Sequence, residues 1–219
     1  MSAFSVFSAA TLVGSDSFDF GDIGSGFNAN RLFFACVLAG NGLSDPEVPT
    51  SISADGLTWV ELGRTTNPGG DKIGMSVWRG TGTPGAGGDV TVSYATAQDL
   101  GTSISLAEST STLSSISESG DASLTPLVLA APSGTFSETL VWTGSSATTL
   151  ATDPALTELH RTGNSKLSCG WIVGGQATYT STFSSGFAHG YALGLVPAFP
   201  ATSLTGTTAT QISLEGTYG

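Results

Sequence analysis

Residues 89–94, with the sequence DVTVSY, decide the fold class of this chain. Three apolar residues, Val90, Val92 and Tyr94, alternate there with hydroxyl residues. Successive side chains of a β-strand point to opposite faces, so a period of two indicates a strand with one buried and one exposed face. We therefore predict a half-buried strand at this position.

Neighbouring segments also have sequence patterns that predict β-strands. Leu32–Leu38 is a continuous apolar run of the length expected for a strand buried on both faces. Ile52–Leu62 contains an Asp55-Gly56 turn signal, which favours a hairpin. No stretch of helix-forming residues shows a period near 3.6, and the abundant Ser, Thr and Gly disfavour helix interiors. The sequence predicts an all-β protein, an antiparallel β-sandwich.

A weak internal repeat runs through the chain. Segments with similar patterns recur in the same order: Leu57–Thr65 with Leu156–Thr162, Lys72–Met75 with Lys166–Cys169, Val90–Tyr94 with Tyr179–Phe183, and Ile104–Leu106 with Tyr191–Leu195. Either a true duplication or the residue preferences that all β-strands share could produce this pattern. In both cases we expect two similar halves that pack face to face.

Composition divides the chain into a central region and two ends. Residues 14–200 are expected to form the sandwich, with the connection between halves in the Ser/Thr-rich segment 108–121. Residues 1–13 are expected to form an N-terminal arm or an edge strand. Residues 201–219 have too little apolar area to fold alone, so they are expected to form an edge strand, an arm that reaches a neighbouring chain, or a frayed end.

The composition excludes several classes of partner. The 219 residues include only 6 Lys and Arg against 17 Asp and Glu, which gives a formal net charge of -11. Nucleic-acid binding rests on basic side chains that neutralise phosphates, and anionic membranes attract the same side chains, so neither is expected as a partner. Hydrophobic residues make up 39% of the chain, enough to bury a core, which argues against disorder.

The two cysteines and the N-terminus suggest a reducing compartment. Met1–Gly14 lacks the basic and apolar regions of a signal peptide, so we expect synthesis in a reducing cytoplasm. Cys36 and Cys169 both lie in apolar runs, which is typical of buried free thiols. A disulfide between the halves is the alternative.

Residue patterns for catalysis are missing from the sequence. There is no Gly-x-Ser-x-Gly pentad, and the two histidines, His160 and His189, are expected at the surface or in loops. Asp16, Asp19 and Asp22 are spaced by three, so an extended chain directs them to alternate faces; only a turn would let them share a calcium ion. We expect solvated carboxylates there, and we assign no catalytic, cofactor-binding or metal-binding residue.

The four tryptophans lie one to each expected strand, among apolar neighbours. Trp59, Trp78, Trp142 and Trp171 are therefore expected in the core. Trp78 is the exception to watch, because Met75 and Val77 occupy the opposite face of its strand. An exposed Trp78 or Trp59 would favour a sugar-binding platform.

Four segments in a fixed order resemble a known group of proteins. These are NANRLFFACVLAG, GLTWVELGRT, GMSVWRGTG and GDVTVSYATA. Over Phe4–Pro197 the order is similar to that of the jelly-roll-type β-sandwich domains in virion proteins of tailed bacteriophages, among them capsid decoration (cement) proteins. The resemblance implies no catalytic residue and no cofactor.

The resemblance implies that the protein acts by binding other proteins and not by catalysis. It leads us to expect a non-enzymatic virion protein that stabilises the shell by bridging major capsid subunits, as a homo-oligomer with a trimer favoured. Apolar residues near the chain ends are the expected interface: Phe4, Phe7, Phe199, Ile212, Leu214 and Tyr218. The alternative is a carbohydrate- or receptor-binding domain of a tail or fibre protein.

Overall fold

A computed structural model describes residues 4–12, 14–22, 32–40, 49–54, 56–66, 73–83, 89–98, 101–109, 113–124, 126–132, 138–145, 149–153, 155–161, 167–174, 176–184 and 187–197. These residues form sixteen β-strands and contain no helix. All strand pairs are antiparallel. The prediction of an all-β antiparallel protein is therefore confirmed.

Eight strands form each half of the chain. The first half contains β1 (Phe4–Leu12), β2 (Ser15–Asp22), β3 (Leu32–Gly40), β4 (Ser51–Ser53), β5 (Leu57–Thr66), β6 (Ile73–Gly82), β7 (Asp89–Gln98) and β8 (Gly101–Ser109). The second half contains β9 (Leu113–Leu124), β10 (Leu127–Ala130), β11 (Glu138–Ser145), β12 (Thr149–Asp153), β13 (Thr157–Arg161), β14 (Leu167–Val173), β15 (Thr178–Phe183) and β16 (Phe187–Pro197).

The first half is a two-layer sandwich. Five strands in the order β1-β8-β3-β6-β5 form its large sheet, and β2-β7-β4 form its small sheet. The apolar run predicted to be buried on both faces is β3, the central strand of the large sheet, and residues 33–40 are all buried. The alternation in β7 buries Val90, Val92 and Tyr94 against the large sheet, as expected.

A tight turn forms at the predicted position between Ala54 and Leu57, but β4 and β5 lie in different sheets and do not pair as the expected hairpin. Gly56 has φ 71°, the left-handed conformation that glycine adopts without strain. The Leu57 amide donates a hydrogen bond to the Ala54 carbonyl oxygen at 3.1 Å. After this turn β5 pairs with β6 in the large sheet, whereas β4 pairs with β7 in the small one.

The second half repeats the first strand for strand. Its large sheet has the order β9-β16-β11-β14-β13, and its small sheet has the order β10-β15-β12. Adding eight to each strand number of the first half gives these orders. The four pairs of similar segments in the sequence fall on β5 and β13, β6 and β14, β7 and β15, and β8 and β16. The prediction of two repeated halves is confirmed.

The halves meet through their large sheets, so the protein has four layers. One core cluster joins the large sheets: it includes Phe34, Met75 and Val77 from the first and Leu140, Trp142 and Leu193 from the second. Each small sheet covers the outer face of its own large sheet. The layers therefore contain three, five, five and three strands, and the two inner sheets are covered on both faces.

The two halves are related by an approximate two-fold rotation. Phe34 packs against Trp142, and Leu38 would contact a side chain at Gly144, so the equivalent strands β3 and β11 run in the same direction. At the sides of the stack, β1 contacts β13 and β5 contacts β9. A rotation about an axis parallel to the strands, between β3 and β11, accounts for both observations.

Two details differ from the sequence-based expectation. The halves pack face to face as predicted, but each is already a sandwich of two sheets instead of contributing one sheet to a single sandwich. The eight strands of a half are divided five and three, since β5 joins the large sheet. β8 ends at Ser109 and β9 begins at Leu113, so most of the segment 108–121 belongs to strands.

No helix in the described part of the chain is long and apolar enough to cross a membrane.

Candidate functional site

Aromatic and aliphatic side chains fill the seam, the contact between the two large sheets. Trp142 is fully buried, and its ring lies 6.4 Å from that of Phe34 in an edge-to-face arrangement. Such aromatic pairs add to the free energy of burial. The seam thus fixes the two halves as one rigid unit.

A polar contact between Thr65 and His189 crosses the seam. The Thr65 side-chain oxygen lies 3.0 Å from Nδ1 of His189, and both residues are buried. His189 lies within β16 and is completely inaccessible to solvent. The expectation of a surface or loop position for His189 is therefore wrong: the loop signals of Ser184-Ser185-Gly186 end before β16, and β5 of the other half covers the histidine. His160 lies on β13.

Two glycines make room for Tyr191 beside this contact. A side-chain carbon at Gly63 would overlap the Tyr191 hydroxyl, and one at Gly120 would lie 2.7 Å from the Tyr191 ring. Tyr191 itself is buried in the seam. Sequence reasoning missed this cluster of Gly63, Gly120, Tyr191, Thr65 and His189, because its members are joined only by the packing of β5 on β9 and β16.

A repeated bulge shapes the edges of the large sheets. The sequence Glu61-Leu-Gly-Arg-Thr65 in β5 corresponds to Glu158-Leu-His-Arg-Thr162 at β13. The strand register shifts between Glu61 and Gly63, and again between Glu158 and His160. The extra residue is a leucine in each case, and both leucines pack against the seam. This repeat is the one sequence signal that pointed to the seam.

An ion pair lies on the solvent side of the first bulge. Arg64 Nε donates to Glu61 Oε1 at 2.6 Å, and the two side chains are 49% and 21% exposed. The hydrogen bond that Arg64 donates to Glu61 raises the pKa of Arg64 above its usual value. Exposed pairs of this kind contribute little stability; this one orders the bulge.

Both cysteines are buried free thiols in the seam. Cys36 and Cys169 belong to the same core cluster, one from each half. Burial raises the pKa of Cys36 well above its usual value, and the proximity of Cys169 raises it further. The prediction of two buried thiols is thus confirmed by the structure.

The four tryptophans differ in how deeply they are buried. Trp78 is buried, and its Nε1 donates to Ser76 Oγ at 2.9 Å. Trp59 is partly buried and covers Gly80. The core positions expected for Trp78 and Trp142 are confirmed, while Trp59 and Trp171 lie at the margins of the core. The carbohydrate-binding alternative therefore lacks Trp78 as a stacking surface.

The spaced aspartates lie along β2. Asp16 and Asp19 are exposed, and the backbone of Asp19 pairs with Thr91 while that of Asp22 pairs with Asp89. No group of three metal-ligating side chains occurs among the residues that the structure describes.

Of the predicted interface residues, two lie in the described part of the chain. Phe4 and Phe7 belong to β1, an edge strand of the first large sheet, where Phe4 pairs with Ser109. Phe199, Ile212, Leu214 and Tyr218 lie outside the described residues. The structure neither brings these six residues together nor separates them.

The start of β1 and the end of β16 lie at one end of the described structure, which we call the terminal pole. Phe4 pairs with Ser109, and Pro197 pairs with Leu113. Three residues join Ser109 to Leu113, a connection that spans at most about 14 Å. Since paired residues lie about 5 Å apart, β1 begins within about 25 Å of the end of β16.

Small hydroxyl residues dominate the outer faces of the small sheets. Ser17, Ser93 and Ser51 are opposite one another on three adjacent strands, and none of them is buried. On the other small sheet, exposed Val128 is opposite Thr180, and Thr180 is opposite exposed Asp153. These faces present hydroxyl side chains to solvent, together with exposed carboxylates such as Asp153.

A comparison of the chain with protein-family models, curated proteins and solved structures finds no match.

Proposed function

We propose that this protein is a non-enzymatic structural component of a tailed-bacteriophage virion, a capsid decoration protein that stabilises the shell by bridging major capsid subunits. On this proposal a subunit binds the shell through its terminal pole. The sandwich projects outward and carries no chemistry beyond contact.

The position of the terminal pole is the observation that carries the proposal. β1 begins there, β16 ends there, and the connection between the halves lies between them. A protein that binds a shell at one end needs its attachment segments at that end. The predicted interface residues Phe4 and Phe199 fall in the first strand and just after the last one.

The rest of the molecule suits an exposed accessory role. The seam and the two outer cores make one stiff body, and its outer faces are rich in serine and threonine. With a net charge of -11, the surface is repelled by packaged nucleic acid, because phosphates attract only basic groups. Such a protein associates with capsid protein without retaining genome.

Stabilisation follows from mass action. A ligand that binds only the assembled shell shifts the equilibrium toward that shell by its own binding free energy. A decoration protein that contacts two capsid subunits at once therefore resists their separation on heating.

Copy number and capsid binding test the proposal. We expect hundreds of copies in each purified particle, and binding of the pure protein to particles stripped of it. A chain ending at Pro200, or Phe7→Asp, should weaken this binding at least about tenfold. The matched control, Val128→Asp on the outer face, should bind as well as the unaltered chain.

Unfolding curves establish that each variant is folded. A handful of copies in each particle, or equal binding by the Val128 and terminal variants, would contradict a decoration role through the terminal pole.

A further inference from the structure

Four strands form the edges of the two large sheets, and β9 differs from the others. Register shifts interrupt the pairing of β1 after Val6, of β5 after Glu61 and of β13 after Glu158. β9 is the longest of them, with 12 residues, and it pairs with β16 without interruption from Leu124 to Ser115.

An uninterrupted edge is a template for another strand. Edge strands present unpaired N–H and C=O groups, and bulges or short lengths normally protect them from association. Among the described strands, none pairs with the outer edge of β9. The three bulged edges are protected in this sense, whereas β9 is not.

The edge of the other large sheet lies over β9. β5 contacts β9, and it carries Val60, which is 52% exposed. A molecule that pairs with β9 therefore also meets the β5 edge, so the contact area has two layers. A contact of two layers buries more surface than a lone strand pairing.

We propose that the outer edge of β9 binds the β9 strand of a second copy of this chain, antiparallel about a two-fold axis perpendicular to the sheet. The two five-stranded sheets then form one continuous sheet of ten strands. The pairing uses the β9 edge of both copies, so the assembly closes at a dimer instead of growing into a fibre. Because the paired strands are antiparallel, the terminal poles of the two copies point in opposite directions, and one pole of each dimer is available to a given shell.

Charge and alternation select the register of this pairing. A two-fold axis perpendicular to the sheet keeps each face of the sheet on the same side. Since side chains alternate between the faces, the residue nearest the axis lies opposite its own copy. Centring on Glu118 would place two carboxylates opposite each other, which is unfavourable. If the two-fold axis passes at Ser119, Glu118 lies opposite the partner's Gly120 and Asp121 lies opposite the partner's Ser117. This register pairs residues 114–124 of the two copies.

The chemistry of β9 suits a second copy. Its sequence, LSSISESGDASL, consists mainly of small residues, so two such strands approach without steric conflict. It carries two acidic residues and no basic one. Salt, which screens repulsion between the acidic strands, should therefore strengthen the dimer.

Disulfide cross-linking tests the register. Under a mild oxidant, Ser119→Cys should form a disulfide-linked dimer on a non-reducing gel, because each cysteine lies opposite its copy. Ser115→Cys is the matched control, since its copy would lie about 27 Å away along the strand. The buried Cys36 and Cys169 do not interfere in the folded protein.

A pair of charge variants tests the same contact in solution. Ser117→Lys places a cation opposite the partner's Asp121 at two symmetric positions and should lower the dimer Kd about tenfold. Ser117→Asp should raise it by a similar factor. Ser115→Lys adds the same charge opposite the partner's Ser123, and its effect should be smaller than that of Ser117→Lys.

Sedimentation analysis of the pure full chain distinguishes the outcomes without any capsid. A monomer at millimolar concentration, a trimer, or a dimer in which Ser119→Cys and Ser115→Cys cross-link equally would overturn the β9 pairing. A dimer that fails to bind capsids would retain the pairing and contradict only the decoration role. The residues introduced at positions 115, 117 and 119 are ones that β-strands tolerate. Thermal unfolding of each variant checks that it is folded.

Discussion

Thr65 and His189 lie 124 residues apart in the chain, yet their side chains meet at 3.0 Å in the interior of the protein. The contact joins β5 of one half to β16 of the other. It is a polar contact beside the apolar side chains of the seam, and its geometry depends on the alignment of the two halves.

Replacing Thr65 with valine keeps the shape of the side chain and removes its hydroxyl. We expect the free energy of unfolding to fall by about 1–3 kcal/mol, because the buried Nδ1 of His189 then loses its contact with the Thr65 hydroxyl. Urea unfolding measures the change. Thr58→Val, an exposed position on the same strand, should change stability by less than about 0.5 kcal/mol. Equal effects of the two substitutions would contradict a specific contact.

Gly63 should not tolerate alanine while Tyr191 keeps its hydroxyl. The new methyl group would overlap that hydroxyl, and overpacking of this kind costs about 1–3 kcal/mol. Tyr191→Phe should recover part of the loss in the double variant, since the overlapping atom is gone. A double-mutant cycle of unfolding free energies measures this coupling. Additive effects would mean that Gly63 is required for another reason.

The stability of the protein should decrease in alkaline solution through Cys36. Burial raises the pKa of this thiol above 9.0, its value in the unfolded chain. As the pH rises above about 9, the unfolded state releases the proton while the folded state retains it, so unfolding becomes more favourable. Denaturant unfolding at pH 8 and 10 should show a smaller loss for Cys36→Ala than for the unaltered chain. An equal loss would assign the effect to other groups.

The two halves should associate even when the chain is cut between them. β8 ends at Ser109 and β9 begins at Leu113, and the seam buries apolar side chains from both halves. Fragments 1–110 and 111–219 produced together should copurify as a complex with the strand content of the intact protein. Trp142→Ala, which removes a fully buried side chain from the seam, should weaken the complex; Val128→Ala, on an outer face, should not.

Local residue patterns were enough to predict several strands, among them β3 and β7, and the repeat, but not β9, which lies in the segment expected to connect the halves. Val90, Val92 and Tyr94 face the core because a period of two leaves a strand with only one apolar face. The correspondence between Glu61–Thr65 and Glu158–Thr162 also predicted which strands are equivalent. These features are local, since they depend on residues that are neighbours along the chain.

The tertiary structure alone decided how the strands are shared between layers. Trp78 and Val77 lie on opposite faces of β6, as predicted, but both faces are covered, by the small sheet on one side and by the other half on the other. His189 has the sequence context of a loop and is buried because β5 crosses over it. The number of layers covering a strand depends on contacts between distant segments, and no local pattern in the sequence encodes it.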